Sequence, residues 1–381
     1  MDRWKRFLEE RERRQLLRRL VPSSERAPAR AIRDGREYVD FSSNDYLGLS
    51  AHPALVAAAR EALERYGVGS GASRLMSGDL AIHHELEEAV AAFKGTEAAL
   101  VFNSGYQANT GIVPALLGRR DAVFADHLCH ASQLDGAILS RAAVFRFRHN
   151  DPEHLDRMLG KRRGSFDRAL VMTESVFSMD GDRAPLSPLL EVCRRHRCAL
   201  LVDEAHATGV FGPQGRGCVE AEGLAGRVDL VMGTFSKALG GFGAYLAASR
   251  IVIDTLVNTA RSFIYSTALP PAVIAADLAA LRLCLSGETR GEELLRRAAS
   301  FRDALRRNGW TAGGESQIVP VLAGESDRAV ALSKTLAERG FLVLPVRPPT
   351  VPEGSARLRF SLTAVHTGRQ VAAVVEALGE A

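Results

Sequence analysis

The sequence predicts an α/β fold, with a mostly parallel sheet sandwiched between helices and a smaller α+β domain after it. Three observations lead there. Short apolar runs alternate with helical stretches between about Asn44 and Leu285, the pattern of strands covered on both faces. Two of these runs, Ala199 to Asp203 and Leu230 to Thr234, end in polar residues that open a loop. Beyond Leu285 the texture changes to charged amphipathic helices separated by isolated strands.

The elements follow in order. Arg3 to Arg19 reads as an N-terminal amphipathic helix, and Val21 to Ala31 as a link rich in Pro and Ser. Asp34-Gly35 is a hairpin turn before Arg36 to Phe41. Strands are expected at Ala98 to Phe102, Ala122 to Ala125, Ala143 to Phe147, Ala169 to Thr173, Ala199 to Asp203 and Leu230 to Thr234. Helices are expected between them, at Ala81 to Phe93 and Leu186 to Arg197 among others. The C-terminal part should hold helices at Glu292 to Asn308, Asp327 to Arg339 (with Ser326 as N-cap) and Arg369 to Leu378. Its strands should be Gln317 to Leu322, Phe341 to Pro345 and Ala356 to Leu362. The expected division is an N-terminal segment (residues 1–45), a large α/β domain (46–285) and a small α+β domain (286–381). No internal repeat is visible.

Composition narrows the function. At 381 residues, with 46% hydrophobic and 25% charged residues, the chain reads as an ordinary globular protein. The net charge of +4 is spread among interspersed acids, which argues against a nucleic-acid partner. The basic stretch from Trp4 to Arg19 also holds Glu9, Glu10 and Glu12 and reads as a solvated helix face rather than a membrane or nucleic-acid element. No apolar run reaches the length of a membrane span, and residues 1–20 lack the apolar core of a secretory signal. Five cysteines without metal-ligand spacing fit reduced thiols, so a cytoplasmic protein without a metal site is expected. The nucleophile-elbow, P-loop and zincin patterns are absent.

The chemistry gathers at the ends of two runs. Asp203 closes one and Lys237 follows the other within Thr234-Phe235-Ser236-Lys237-Ala238-Leu239-Gly240-Gly241. Ligands of open α/β sheets bind beyond the carboxyl ends of the strands, so both residues belong to one crevice. An acid and an amine there admit two readings, a buried ion pair or a pyridoxal site in which the lysine forms an imine and the acid faces the ring nitrogen. The chain has only five lysines, and Lys5, Lys94, Lys161 and Lys334 lie in less suitable surroundings. Lys237 alone sits in an apolar, Gly-rich setting that lowers an amine's pKa. Val101 to Asn109 is a strand leaving through Gly105 into a helix, whose first N–H groups can cradle a phosphate. The hydroxyls of Thr234 and of Tyr265-Ser266-Thr267 could add to it.

These motifs resemble those of the α-oxoamine synthases, pyridoxal-phosphate enzymes of the fold-type I transferase class. The resemblance runs from Phe41-Ser42-Ser43-Asn44-Asp45-Tyr46-Leu47-Gly48 through Asp126 to Ser132, Thr173 to Asp182, Asp203 to His206 and Thr234 to Lys237. It implies a decarboxylative condensation of a small amino acid with an acyl thioester. It also implies roles. Lys237, His130 and Asp203 would be catalytic, with His130 stacked on the cofactor ring. Ser178 and His206 would bond the ring's phenolic oxygen. Gly105, Tyr106 and Thr234 would contact phosphate and ring, joined by Ser266 and Thr267 from the neighbouring subunit of a homodimer. The segment Arg347 to Pro352 with Arg357 to Arg359 resembles that of members using L-alanine and pimeloyl-CoA or pimeloyl-ACP. There Arg359 would hold the amino-acid carboxylate, and Arg18, Asn44, His130 and Thr350 would meet substrate. The plainer alternative for Arg18 is one more helix-surface arginine. Glycine-using members taking acetyl or succinyl thioesters, and a non-catalytic paralogue subunit, are the alternatives.

Overall fold

The structure, a computed structural model of the chain, describes residues 1–14 and 16–380. The chain divides into two compact units. One is Leu49–Phe177 with Arg183–Glu292, and the other is Met1–Gly48 with Ser178–Asp182 and Glu293–Ala381.

The second of these begins with helix α1 (Asp2–Arg13), which buries no residue. The helix expected to reach Arg19 therefore stops six residues early. A short helix without a buried face has little to sustain it. The residues beyond it serve side-chain contacts instead: Arg14 reaches Glu353 at 3.3 Å and Arg18 reaches Thr350 Oγ1 at 3.0 Å. The expected link contains strand β1 (Glu25–Ala27) and the start of β2 (Arg30–Arg33), which pair with each other. The hairpin between β2 and β3 (Arg36–Asp40) turns at Asp34 and Gly35, both at positive φ, as Asp-Gly predicts.

The larger unit opens with α2 (Pro53–Tyr66) and α3 (Ala81–Lys94) and then alternates. Its elements are β4 (Ala98–Phe102), α4 (Gly105–Leu116), β5 (Ala122–Asp126), α5 (Ala131–Ser140), β6 (Ala143–Phe147) and α6 (Pro152–Arg162). They continue with β7 (Ala169–Glu174), α7 (Leu186–Arg195), β8 (Ala199–Asp203), α8 (Cys218–Ala221), β9 (Leu230–Thr234) and β10 (Ala244–Ala248). Helices α9 (Arg250–Thr259), α10 (Arg261–Ile264) and α11 (Pro271–Leu285) close it. The seven strands stand in the order β4-β10-β9-β8-β7-β5-β6. All six strands read from the sequence are present and mutually parallel. Strand β10 is the addition, antiparallel to β9 and to β4. Every residue of β4, β5, β7 and β9 is buried, as strands covered on both faces must be. Leu100, Phe102, Val123, Met172, Leu201, Met232 and Leu246 pack with Ile112 and Val113 of α4 and Leu256 of α9 into one core. Because β4 and β9 flank the single reversed strand, β4, β5, β7, β8 and β9 all deliver their carboxyl ends to the same sheet edge.

The boundary between units falls within α12 (Gly291–Arg307). Next come β11 (Ile318–Gly324), α13 (Ser326–Glu338), β12 (Phe341–Leu342), β13 (Pro345–Val346), β14 (Ala356–Ser361) and α14 (Gly368–Gly379). Ser326 is the first helical residue of α13 rather than its cap. Gly324 turns the chain at φ 87 and leaves Glu325 as the extended residue before the helix. The single strand expected at Phe341 to Pro345 is two. β12 lies parallel to β3, whereas β13 pairs antiparallel with β14. Pro345 has no N–H to continue the first ladder, and Leu344 N donates to Ser42 Oγ at 2.9 Å. The core here is aromatic: Phe41 stacks on His366 at 4.2 Å and meets Phe360 edge-on at 5.9 Å.

Candidate active site

At the shared sheet edge an open cleft of about 560 Å³ is lined by Gly105, Tyr106, His130, Asp203, His206, Thr234 and Lys237. These are seven of the fourteen residues singled out in the sequence. Asn109, Ser132, Glu174, Ala205, Met232 and Ser236 complete the lining.

Each side chain has a local cause for its position. Asp203 ends β8 with its Oδ1 accepting Ala205 N at 2.9 Å and its Oδ2 accepting Asn109 Nδ2 at 3.0 Å. Two donors and 5% exposure hold the carboxylate in one orientation. Asn109 lies one helical turn after Gly105 on α4, so both face the same side, and its Nδ2 also reaches Ser132 Oγ at 3.0 Å. Ser104 caps α4 by accepting Gln107 N at 3.2 Å. The first N–H groups of that helix lack intrahelical partners, and with Gly105 and Tyr106 lining the cleft they suit an anion there.

His130 caps α5 in extended backbone conformation, its Nδ1 accepting Ser132 N at 3.2 Å. Nδ1 is thus an acceptor and the ring proton belongs on Nε2. Burial pushes the His130 pKa down, Lys237 adds to this and Asp203 opposes it, so the ring is neutral. Lys237 Nζ stands 2.9 Å from His206 Nε2. Gly240, at φ 68, closes the loop after it, with Gly240 N donating to Lys237 O at 3.0 Å. A Cβ on Gly240 would lie 2.4 Å from Ser50 N, so only glycine fits there. Thr234 Oγ1 contacts Ser236 Oγ at 2.7 Å and Gly243 O at 2.6 Å.

Ser266 and Thr267 lie at a different hollow of the same unit, lined by Arg74, His83, Asn103 and Gln107. Within one chain, Gln107 Nε2 donates to Ser266 Oγ at 2.7 Å and Asn103 Nδ2 to Thr267 O at 2.8 Å.

The other five residues belong to the smaller unit, in two groups. Arg359 on β14 is 9% exposed. It donates from Nε to Ser178 O at 2.5 Å, from Nη1 to Asn44 Oδ1 at 3.2 Å and Ser361 Oγ at 2.7 Å, and from Nη2 to Tyr46 OH at 3.3 Å. All four acceptors are formally neutral, and no carboxylate pairs with Arg359 among the described residues. Its neighbour Arg357 does pair with an acid, Asp180, at 2.5 Å. A nearly buried guanidinium left without a counter-charge suits an anionic ligand. Arg18 and Thr350 form the second group through their mutual hydrogen bond.

Lys94, set aside in the sequence for its less suitable surroundings, is in fact buried. Its Nζ contacts Glu204 Oε2 at 2.7 Å and Thr208 Oγ1 at 3.1 Å. Burial works to lower its pKa, but the Glu204 charge outweighs this and raises it. A lysine held as a cation is no nucleophile.

Sequence reasoning missed Glu174, Asn109 and Ser132. Glu174 had a usable signal: Ala169 to Glu174 is an apolar run ending in a carboxylate, the pattern that drew attention to Asp203. Asn109 could have been found from its i+4 spacing to Gly105. Nothing in the sequence marks Ser132.

The chain matches Aminotransferase class I and II over residues 36–378. It belongs to that family. An 8-amino-7-oxononanoate synthase of Geobacter sulfurreducens is 54% identical over 353 residues, 92% of this chain and 90% of the relative. One of Methylobacterium nodulans is 52% identical over 365 residues, 96% and 92% of the two chains. Among solved structures, serine palmitoyltransferase of Sphingomonas wittichii matches with a TM-score of 0.94 at 34% identity, covering 99% of this chain and 96% of its own. The 8-amino-7-oxononanoate synthase of Francisella tularensis matches with a TM-score of 0.77 at 28% identity, covering 90% and 97%. The resemblance read from the motifs therefore holds for the family and for the fold. The site fits pyridoxal phosphate, which a serine palmitoyltransferase of S. paucimobilis is described as binding. An amine, a fixed carboxylate, a neutral histidine and a helix N-terminus converge on one cleft of suitable size.

Proposed function

We propose that the chain is a pyridoxal-phosphate-dependent C-acyltransferase that condenses L-alanine with a pimeloyl thioester, releasing carbon dioxide and 8-amino-7-oxononanoate, a step of biotin biosynthesis. The observation that carries this reading is the 54% identity to a synthase of that name over 92% of the chain. The cleft supports it with the residue types the reaction needs.

When bound, the cofactor supplies an electrophilic carbon for the amine and an electron-withdrawing ring that stabilises negative charge at the amino-acid Cα. Lys237 Nζ would hold the cofactor at rest and would take the proton from the amino-acid Cα, with His206 at 2.9 Å orienting it. Asp203, fixed by Asn109 and Ala205 N, keeps a proton on the ring nitrogen. His130 would face the cofactor's ring, and its Nε2–H would donate to the thioester carbonyl oxygen as charge develops there. Gly105, Tyr106 and Thr234 serve the phosphate and ring. Ser178 and His206 serve the phenolic oxygen. Arg359 takes the alanine carboxylate, and Asn44, Arg18 and Thr350 line the substrate path.

The enzyme works as a homodimer in which Ser266 and Thr267 complete the partner's phosphate site. Thr267 is exposed and Tyr265 is 72% exposed, which leaves that segment available. A reducing cytoplasm fits the five free, buried cysteines. No helix among the described residues is long and apolar enough to cross a membrane.

The test is a matrix of L-alanine and glycine against pimeloyl, acetyl and succinyl thioesters, each on coenzyme A and on acyl carrier protein. Product from alanine and pimeloyl thioester is expected to dominate. Preference for glycine with a short acyl chain would overturn the assignment.

A further inference from the structure

Glu174 ends β7 and stands in register beside Asp203 at the end of β8. It is 4% exposed and lines the same cleft. The two carboxyls are served unequally. Each oxygen of Asp203 accepts a hydrogen bond. Glu174 receives the backbone N–H of His130, while its buried Oε1 has no hydrogen-bond partner among the described residues. Two adjacent carboxyls in a buried cleft do not both ionise, and the one with more donors keeps the charge. An ionised Glu174 would leave a buried anionic oxygen without a donor, whereas a protonated one strands no charge there.

The surroundings agree. Asp126 at the end of β5 is already served by Leu128 N, Asn150 N and His149 Nδ1. Lys237 after β9 is the amine of this cleft, and His206 lies against it. Before α5 stand His130, neutral through burial, and the buried Cys129, whose thiol is pushed well up and stays protonated. For Glu174, burial and then the Asp203 charge raise the pKa well above the carboxylate range, and Lys237 only partly opposes them.

We infer that Glu174 is a proton-carrying positioning residue: as a neutral acid it leaves the negative charge of the pair on Asp203 and anchors the backbone of His130 at the cleft. The inference rests on the proposed assignment of Lys237 and Asp203 to the cofactor. Its consequence is that the ring nitrogen meets one negative charge rather than two.

The experiment uses the holoenzyme and its Glu174→Gln and Glu174→Asp variants. Infrared spectra of protein carrying isotope-labelled glutamate should show a protonated-carboxyl band at neutral pH that Glu174→Gln removes. The pH titration of the cofactor absorbance should keep its midpoint in Glu174→Gln, because one neutral group replaces another. Glu174→Asp withdraws the carboxyl by one methylene and releases His130 N–H. Its kcat should fall roughly tenfold or more with a smaller change in KM, as loss of an aligned group does. A midpoint moved by more than about one pH unit in Glu174→Gln, the effect of deleting a neighbouring charge, would overturn the inference. So would a missing carboxyl band, or wild-type kcat in Glu174→Asp. Borohydride labelling separates the two levels. Label on a lysine other than Lys237 overturns the site assignment and this inference together, whereas label on Lys237 with a moved midpoint overturns the inference alone.

Discussion

Replacing Lys94 by methionine should destabilise the protein severely while leaving the cofactor attached to Lys237. Lys94 and Glu204 side chains are 3% and 0% exposed, with Nζ and Oε2 at 2.7 Å. Nζ also donates to Thr208 Oγ1 at 3.1 Å and to Arg216 O at 2.6 Å, so all three protons are used. Methionine matches the stem but removes the charge. Glu204 would keep only Val219 N, at 2.8 Å on Oε1, as a donor. Orphaning one partner of a buried pair costs roughly 3–5 kcal/mol. Denaturant unfolding of wild type and Lys94→Met measures this loss. The double variant Lys94→Met with Glu204→Gln should recover part of it, since the glutamine carries no charge to strand. A loss below about 1 kcal/mol, in the range of an exposed pair, would refute the argument that the pair is desolvated and interdependent. Borohydride-fixed cofactor on Lys94 in the wild type would refute it from the other side.

Three further outcomes are expected. Lys237→Ala should abolish turnover and borohydride fixation of the cofactor together; turnover at the wild-type rate would remove Lys237 from the reaction. Arg359→Lys keeps the charge but loses the planar fork, so KM for alanine should rise roughly tenfold to a hundredfold, and an unchanged KM would free the carboxylate from Arg359. His366, 1% exposed against Phe41, has its pKa lowered to about 4 by burial. Its folded pKa lies below the unfolded value of about 6.5, so its contribution is complete above that pH and is lost as the pH falls toward 4. By linkage this amounts to about 2 kcal/mol by pH 5. A His366→Phe variant should lose correspondingly less stability than wild type between pH 7.5 and 5, and parallel losses would contradict the neutral ring.

How much of this was legible in the sequence follows from what each residue depends on. The parallel strands were readable because burial on both faces demands unbroken apolar runs, and β4, β5, β7 and β9 are buried at every position. Strand β10 was not, because Ala244-Tyr245-Leu246-Ala247-Ala248 is rich in alanine, a weak strand former, and only its partners on both sides make it a strand. The same distinction divides the site. Asp203 and Lys237 announce themselves through local context, an acid closing an apolar run and an amine among glycines. Glu174 carries the first signature equally well, yet its meaning depends on the register that sets it beside Asp203. Alone, either acid is simply a carboxylate at a strand end. Placed side by side with unequal donors, they become an ionised group and a proton carrier. That division of labour is a property of the pair, so a reading of either residue singly could not reach it.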